Sequence, residues 1–574
     1  MKAILFAAIA GVCVTLSACG AAMDSSTPGA AKLDSSGLPP ADDNPEPGLQ
    51  GQVPLADQAP RLGGATGTVP LNSYRRGTRL VDSLAILGEL NTGLDRGGNY
   101  ELAWLDDCAY VGMGDLARQA VNDVVLQGPG PELPTGDLPA GAAAPERSAV
   151  ESIYVPPGAA PPPVEGGSSC GEEALCGGFN PLPELPGVGL AIVSAKNPAE
   201  LKLVYVLQIP LMPNTPGIDN PAPNVPSRAR TSAAPSNPWE ALQTNAARRL
   251  IMVGTNSELA TYQAVYNCKY PSRRSIADLG TFMLHGLRIA PDGLTAYLGD
   301  ANADGVAGAP VFAALDLTNL RKPEVLTTFS AAELGAAGLH GIELSADGKR
   351  AYVTYATAPA LGTGLMGLFT RATGLMILDV SEVQARAAGA QVRMIAQLEW
   401  DGAAHAVRRA QVGGRDYLLV TDSVPLLGAC PWGWGRVIDI TDETAPAQVV
   451  EIALAVNDPA NCNAIAPDAA IYSSESVSVD DPDDTRLAFF GWHASGLRVF
   501  DLADPAHPVE VAYYNPPPNP DTVHRSAQTP TGGFTLDAVP SSVRYRPETG
   551  DVWFASVAGG LHVVEFTQSM GPAP

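Results

Sequence analysis

One strand phrase returns four times along the chain and constrains the fold more than any other sequence feature. Its copies lie at 311–323, 374–381, 435–446 and 496–508. Each is an apolar stretch that ends in Asp and leads into a polar turn. The residues are of strand type and show no helical periodicity, so the phrase predicts an array of small antiparallel sheets.

The phrase is the third strand of a longer unit of four strands, and seven such units fit the sequence. Asp-Gly pairs at 292–293 and 347–348 mark hairpins between first and second strands, because Gly accepts the positive φ of a tight turn. The units predict an all-β chain that forms a single seven-bladed β-propeller over 73–574. The first two units diverge most, which leaves six or eight blades open. The first strands begin near Tyr100, Trp239, His285, His340, His405, Glu475 and Ser541.

The seventh unit stops at its third strand, 560–566, and lacks a fourth. Residues 83–90 resemble an orphan fourth strand that precedes the first unit. Pairing the two would close the ring and remove an exposed sheet edge. The sequence therefore predicts a propeller closed by an N-terminal strand.

The repeated phrase also carries a family resemblance. Its pattern, Gly-apolar-x-apolar-apolar-Asp-apolar-Ser/Thr/Ala with Pro in the following turn, resembles the LVIVD-repeat family of bacterial exported propellers. The match is clearest from about 280 to 566 and fades toward residue 73. The resemblance implies the propeller fold and no particular reaction, since propellers host many functions.

The first residues have the character of an export signal. Lys2 precedes an apolar run over 3–16 that is too short to span a bilayer. The run closes with Leu-Ser-Ala-Cys at 16–19, which resembles a bacterial lipobox and implies removal of 1–18 and lipidation of Cys19. Because Gly20 is not Asp, the resemblance to Gram-negative lipoproteins implies the outer membrane of the cell envelope. The alternative is an ordinary signal peptide with a chance Cys.

Residues 19–72 are rich in Ala, Gly, Pro, Ser and Asp and lack hydrophobic periodicity, so they predict a disordered tether between lipid and propeller. The net charge of −25 disfavours nucleic acid as a partner, because phosphates require Lys and Arg. The expected partners are the membrane, through the lipid, and a protein or glycan of unknown identity. The propeller itself is expected to be monomeric.

Long insertions fall in the loops that join second to third strands and fourth strands to the next blade. These loops open on one face of a propeller, which we call the elaborated face, whereas the opposite face has tight turns. Long loops on a rigid scaffold usually carry function, although neutral drift is the alternative. The insertions are 112–186, 211–238, 355–373, 423–434, 457–473 and 515–538.

Six cysteines follow Cys19, and an even number in an exported chain favours disulfides. Cys430 and Cys462 lie in neighbouring loops of the elaborated face. Another pair shares one insertion, and the third belongs to the opposite face in adjacent blades. The predicted pairs are Cys430–Cys462, Cys170–Cys176 and, with the weakest support, Cys108–Cys268.

Asp300, Asn302 and Asp304 alternate and are followed by Gly, as in the opening of a calcium loop. Calcium, which would be structural, is the one cofactor suggested. No carboxylate stands at Gly308 or Val311 to close the site. A polar hairpin loop has the same composition and is the alternative.

His285, His340 and His405 begin three successive first strands, so their imidazoles are expected near the central opening. Three imidazoles there would suit a transition metal with an open position for substrate. The alternative is structural: each His is in phase with buried apolar residues, such as Leu287 and Ile289, and would be tucked between blades.

Two further groups have simpler interpretations. Trp432 and Trp434, beside Cys430, are candidates for an exposed aromatic contact or for core packing. The recurring aspartates of the strand phrase are expected to cap the turns that follow them. Those aspartates are Asp316, Asp379, Asp439 and Asp501.

No nucleophile elbow, His-Glu-x-x-His, phosphate loop or dinucleotide fingerprint is found. The first hypothesis is a non-enzymatic envelope lipoprotein whose elaborated face binds a protein or glycan. The second is a metal-dependent envelope hydrolase or oxidase that uses the three histidines. The third is a purely structural envelope component.

Overall fold

The structure is a computed structural model. It describes residues 43–52, 73–84, 86, 98–114, 189–207, 241–254, 258–264, 266, 268, 271–279, 282, 284–300, 310–330, 338–356, 372–423, 430–465, 472–517, 540–556 and 560–567. Within these ranges no helix is both long and apolar enough to cross a bilayer.

Seven antiparallel sheets make up the fold, each a blade in chain order. Blade one contains β3 (Gly98–Leu105), β4 (Cys108–Gly114), β5 (Gly189–Ser194) and β6 (Lys202–Leu207). Blade two contains β7 (Leu242–Asn245), β8 (Leu250–Gly254), β9 (Glu258–Gln263) and β10 (Ser272–Asp278). Blade three contains β11 (Leu284–Ile289), β12 (Thr295–Asp300), β13 (Pro310–Asp316) and β14 (Glu324–Ser330). Blade four contains β15 (Gly338–Leu344), β16 (Arg350–Ala356), β17 (Ala372–Asp379) and β18 (Arg393–Asp401).

The last three blades include the N-terminal strands of the chain. Blade five contains β19 (Ala404–Val412), β20 (Arg415–Asp422), β21 (Gly435–Asp439) and β22 (Ala447–Ile452). Blade six contains β23 (Ser474–Val479), β24 (Leu487–Trp492), β25 (Gly496–Asp501), β26 (Val509–Asn515) and, as a fifth strand, β1 (Tyr74–Arg76). Blade seven contains β27 (Pro540–Arg546), β28 (Asp551–Ser556), β29 (Gly560–Phe566) and β2 (Thr78–Leu84).

The first strand of each blade contacts the first strands of its two neighbours, and blade seven contacts blade one, so the ring is closed. The chain is therefore an all-β, seven-bladed β-propeller, which confirms the fold predicted from the repeats. In the described ranges, the remaining regular elements are a short α-helix, Ser381–Gln384, and two 3-10 helices, Ala455–Asn457 and Pro459–Ala464.

An N-terminal strand completes blade seven as predicted, but it lies earlier than 83–90. Strand β2 pairs antiparallel with β29, from Thr78 opposite Phe566 to Leu84 opposite Leu561. Strand β1 extends blade six by pairing with β26. The N-terminal region thus binds two neighbouring blades instead of one.

The hydrophobic core lies between blades. Between blades five and six, Leu419 and Val437 pack with Val477 and Phe490, and all four side chains are fully buried. Between blades seven and one, strand β2, which we call the clasp, contributes Val81 and Leu84 to a similar cluster. Because burial of one such side chain stabilises by about 1.5–3 kcal/mol, each inter-blade cluster makes adjacent blades interdependent.

Residues 43–52 fall in the segment predicted to be a disordered tether, yet they pack against blade six. Asn44 forms a β-bridge with Arg75 of β1. Glu46 pairs with the buried Arg498. The composition of this segment is polar, so its order comes from ion pairs and hydrogen bonds with distant residues. The tether prediction is therefore wrong for 43–52.

Two disulfides join cysteines in the pairs predicted from the sequence. Cys108 bonds to Cys268 across blades one and two, and Cys430 bonds to Cys462 on the elaborated face. The predicted Cys170–Cys176 pair lies outside the described residues. The insertion 211–238 lies entirely outside the described residues, and each of the other long insertions lies partly outside them.

Candidate functional site

A β-bulge lies near the start of most first strands and turns polar side chains toward the propeller axis. In β11 the register shifts between Leu284 and Gly286, and similar shifts occur in β15, β19, β23 and β27. In a regular strand, residues three apart point to opposite faces. The extra residue of a bulge changes this phase, so both His405 and Arg408 line the central cavity.

Glycine lets the bulged strands approach one another. A Cβ atom on Gly286 would lie 2.4 Å from the carbonyl oxygen of His340, and one on Gly341 would lie 2.4 Å from that of His405. No real Cβ tolerates such a contact with backbone. These two glycines therefore allow the three histidine-bearing strands to pack closely around the axis.

The three predicted histidines meet in one layer. The ring centroids of His285 and His340 are 3.9 Å apart with planes at 88°, and those of His340 and His405 are also 3.9 Å apart. Burial, followed by the charges of His285 and His405, holds the pKa of His340 well below its ordinary value. His340 is therefore a neutral imidazole near neutral pH.

Glu475 continues this layer from blade six. Its carboxylate lies between His405 Nε2 and His493 Nε2, each 3.3 Å from one carboxylate oxygen, and it accepts a hydrogen bond from Ser423. Burial acts to raise the pKa of Glu475, but the charges of His405 and His493 and these hydrogen bonds outweigh it. The pKa falls to about 2, so the carboxylate is ionised.

A second layer of charged residues lies one step along the same strands, three residues after the first. Glu343 receives hydrogen bonds from Arg288 and, at 3.4 Å, from Arg408. Across the channel, Glu101 accepts hydrogen bonds from Arg544 and, at 2.6 Å, from Ser542. We call these the histidine layer and the arginine–glutamate layer.

Residues of the two layers line a cavity of about 70 Å³ on the axis. Its walls include Glu101, His285, His340, Arg408 and Arg544. A cavity needs only about 10–15 Å³ for one water molecule, so this one has room for several waters or a small polar group.

Among the described residues, no group of three or more His, Cys, Asp or Glu side chains has a geometry that would hold a metal ion. The three histidines are brought together, but His340 contacts His285 edge-on and His405 at a tilt, and His405 contacts the carboxylate of Glu475. For the calcium loop, Asp300 is buried at the end of β12, while Asn302 and Asp304 lie outside the described residues.

The candidate aromatic contact is largely buried. Trp432 belongs to the core between blades five and six and packs edge-on against Tyr472 at 5.2 Å. The ring of Trp434 is partly buried and lies 5.7 Å from the guanidinium of Arg436. Of the two interpretations left open for Trp432, the structure therefore supports core packing.

The recurring aspartates cap turns, as predicted. In each case one carboxylate oxygen accepts a hydrogen bond from the backbone N–H two residues on, at 2.8 or 2.9 Å. The residues are Asp316, Asp379, Asp439 and Asp501.

A second candidate surface lies on the elaborated face, where the described parts of two long loops are cross-linked. We call residues 430–434, 455–465 and 472–473 the stapled platform. Besides the disulfide, Asn457 donates hydrogen bonds to the carbonyl oxygens of Pro431 at 2.9 Å and Tyr472 at 2.7 Å. The N-terminal segment supports it, because Val456 N–H donates to the Gln50 carbonyl at 3.1 Å.

Sequence reasoning found the histidine layer but missed the arginine–glutamate layer. Four of the missed residues, Arg288, Glu343, Arg408 and Arg544, stand three positions after a predicted strand start, whereas Glu101 directly follows Tyr100. The offset shared by those four was the available signal. It was hidden because a period of two assigns residues three apart to opposite faces.

Fold and channel together define a seven-bladed β-propeller with a histidine layer above an arginine–glutamate layer on its axis. No family model and no curated protein matches the chain, so its membership of the LVIVD-repeat family stays a prediction.

Three solved structures illustrate what the chain resembles. The periplasmic gluconolactonase PpgL of Pseudomonas aeruginosa is 13% identical with a TM-score of 0.40, covering 66% of this chain and 95% of that one. Hydrazine synthase of Kuenenia stuttgartiensis is 12% identical with a TM-score of 0.38, covering 66% and 89%. The Swd1 β-propeller domain of Myceliophteria thermophila is 10% identical with a TM-score of 0.38, covering 66% and 90%.

Proposed function

We propose that the protein is an envelope-anchored lipoprotein whose propeller is a binding scaffold for a protein or a glycan. The fold is compatible with a scaffold or binding role. The observation that carries the proposal is the stapled platform, in which a disulfide and buried hydrogen bonds fix loops on the elaborated face. Fixing a loop in advance lowers the entropy lost when a partner binds.

Anchorage would come from lipid on Cys19, as the lipobox-like sequence implies. The course of the N-terminal segment supports a definite orientation. Asp43 lies beside Gly77, whereas Gly51 accepts a hydrogen bond from Ser495 at the elaborated face. A tether that joins the propeller at Asp43 therefore meets it away from the platform, which would direct the elaborated face away from the bilayer.

The test compares one substitution on the two faces. Ala460 and Ala464 are exposed on the stapled platform, and Ala346 is exposed in a tight turn of the opposite face. The full chain, purified in non-ionic detergent, is tested by biolayer interferometry against solubilised envelope proteins and peptidoglycan fragments. We expect binding that Ala460→Arg or Ala464→Arg weakens and that Ala346→Arg leaves unchanged. Equal binding by all variants would rule out the stapled platform as the binding surface, and no binding to either preparation would favour the structural-component hypothesis.

The metal-dependent enzyme is the second candidate. The imidazoles of His285, His340 and His405 lie together, although not in a geometry that would hold a metal ion. Elemental analysis of the full chain, purified without a His-tag, tests it. A stoichiometric transition metal that is lost in His340→Ala would support this candidate. Calcium lost only in Asp304→Ala would instead indicate a structural ion.

A further inference from the structure

We propose that the cavity on the propeller axis binds a small anion through a carboxylate or phosphate group. This site is distinct from the stapled platform and does not depend on the function proposed for it. The argument rests on the charges around one arginine of the cavity, on the contacts of that arginine and on the size of the space.

The arginine–glutamate layer has more cations than anions. Arg288 and Arg408 share the carboxylate of Glu343, and Arg544 pairs with Glu101. Three guanidinium groups thus face two carboxylates among the described residues of this layer. The ionised Glu475 of the histidine layer also lines the cavity, so the imbalance is local to this layer: Arg408 shares a single carboxylate with Arg288 and lies near the like charge of Arg544.

Arg408 forms the weakest ion pair of the three arginines in this layer. Its contacts among the described residues are long: Nη1 donates to Glu343 Oε2 at 3.4 Å and to the carbonyl oxygen of Val407 at 3.3 Å. Burial, together with the like charges of Arg544 and Arg288, lowers the pKa of the Arg408 guanidinium. The same residues that disfavour this cation would favour an anion placed beside it.

The cavity selects the class of ligand. Guanidinium groups bind carboxylates and phosphates with two parallel hydrogen bonds, and Nε and Nη2 of Arg408 have no hydrogen-bond partner among the described residues. The space of about 70 Å³ admits a small group. The imidazoles of His285 and His340 line the same cavity, where they can hydrogen-bond the polar remainder of the ligand.

The experiment uses orthophosphate and succinate as probes of the full chain in detergent, with chloride at matched ionic strength as the reference. Binding is measured by isothermal titration calorimetry and by the rise in Tm. The matched pair of variants is Arg408→Gln and Arg409→Gln. Arg409 is the next residue of β19 but pairs with Asp483 instead of the cavity carboxylates.

We expect saturable binding of at least one probe. Arg408→Gln should weaken it about tenfold or more, which corresponds to about 1.4 kcal/mol, while Arg409→Gln binds as the wild type does. Binding of orthophosphate would identify the ligand's anionic group as a phosphate, and binding of succinate would identify it as a carboxylate. If Arg408→Gln does not fold, Arg408→Lys keeps the charge, loses the paired donors and should also bind more weakly. Binding of neither anion, or equal binding by wild type and the folded Arg408 variant, would overturn the proposal.

Discussion

Glu46 and Arg498 form a buried ion pair although 452 positions separate them in the chain. The Arg498 side chain is fully buried, and its second partner, Glu510, is buried as well. Burial acts to lower the pKa of Arg498, but the charges of Glu46 and Glu510 outweigh it and raise that pKa. The pair makes the N-terminal segment part of blade six.

Replacing Glu46 with Gln should therefore destabilise the whole propeller. Arg498 would keep only one carboxylate, and loss of a buried partner costs about 3 kcal/mol. Glu548→Gln is the control, because Glu548 is exposed and lies 3.9 Å from Arg546. Thermal denaturation should show a lower Tm for Glu46→Gln alone. An unchanged Tm would mean that residues 43–52 contribute little to folding.

His562 should make stability depend on pH. It is buried against Phe554 with ring centroids 4.8 Å apart, and neither ring nitrogen has a hydrogen-bond partner among the described residues. Burial lowers its pKa from 6.5 to about 4. As pH falls from about 6.5 to about 4, the unfolded chain takes up a proton before the folded chain does, so stability declines by about 3 kcal/mol.

The measurement is the free energy of unfolding of His562→Phe between pH 7 and pH 4. This variant keeps an aromatic ring on Phe554 and should show a flatter decline with falling pH than the wild type. His507→Phe is the control, since the side chain of His507 is 72% exposed. His340, whose pKa is also lowered, still contributes a decline of the same sign in both variants. Parallel curves for wild type and His562→Phe would contradict the prediction.

The two disulfides should differ in thermodynamic and functional effect. Cys108–Cys268 spans 160 positions and Cys430–Cys462 spans 32. Loop-closure entropy predicts losses of about 5 and about 4 kcal/mol when each pair is replaced by Ser. Only removal of the second pair should weaken partner binding at the platform. Chemical denaturation and interferometry on both double variants check the two statements, and equal binding losses would contradict the second.

Gly341→Ala should force apart blades four and five. Its new Cβ would lie 2.4 Å from the carbonyl oxygen of His405, which is backbone and cannot yield cheaply. Overpacking of this kind typically costs about 1–3 kcal/mol. Gly48→Ala is the matched control, because its nearest neighbour, the Gln52 side chain, is 3.8 Å away. Denaturation midpoints separate the two, and equal midpoints would show that the first strands can spread without cost.

The ring architecture was accessible from the sequence because its signals are local. Asp-Gly turns and apolar strands lie next to one another in each repeat, and first strands such as β11 and β15 begin within a few residues of their predicted starts. The sequence analysis placed the closing strand too late, at 83–90, because β2 is an outer strand of blade seven. Its residues Arg79 and Leu80 are exposed, so its hydrophobic pattern is weak.

The remaining differences between the sequence predictions and the structure depend on contacts between residues that are distant in the chain. A period of two placed His285 in phase with Leu287 and Ile289, and only the bulge, which depends on pairing with β12, reverses that assignment. Order in 43–52 depends on partners such as Arg498, more than four hundred positions away. The composition of a segment gives its hydrophobicity, but it does not show whether charged residues elsewhere in the chain bind that segment.

The clasp also has a consequence for how the chain reaches its native state. Arg79 of β2 pairs with Glu565 of β29 across 486 positions of sequence. Blade seven therefore cannot be completed until almost the whole chain has been made, and pairings between such distant segments form slowly because the loop between them must first be closed. Until then the N-terminal strands β1 and β2 are unpaired, and their backbone edges can pair with strands of other chains.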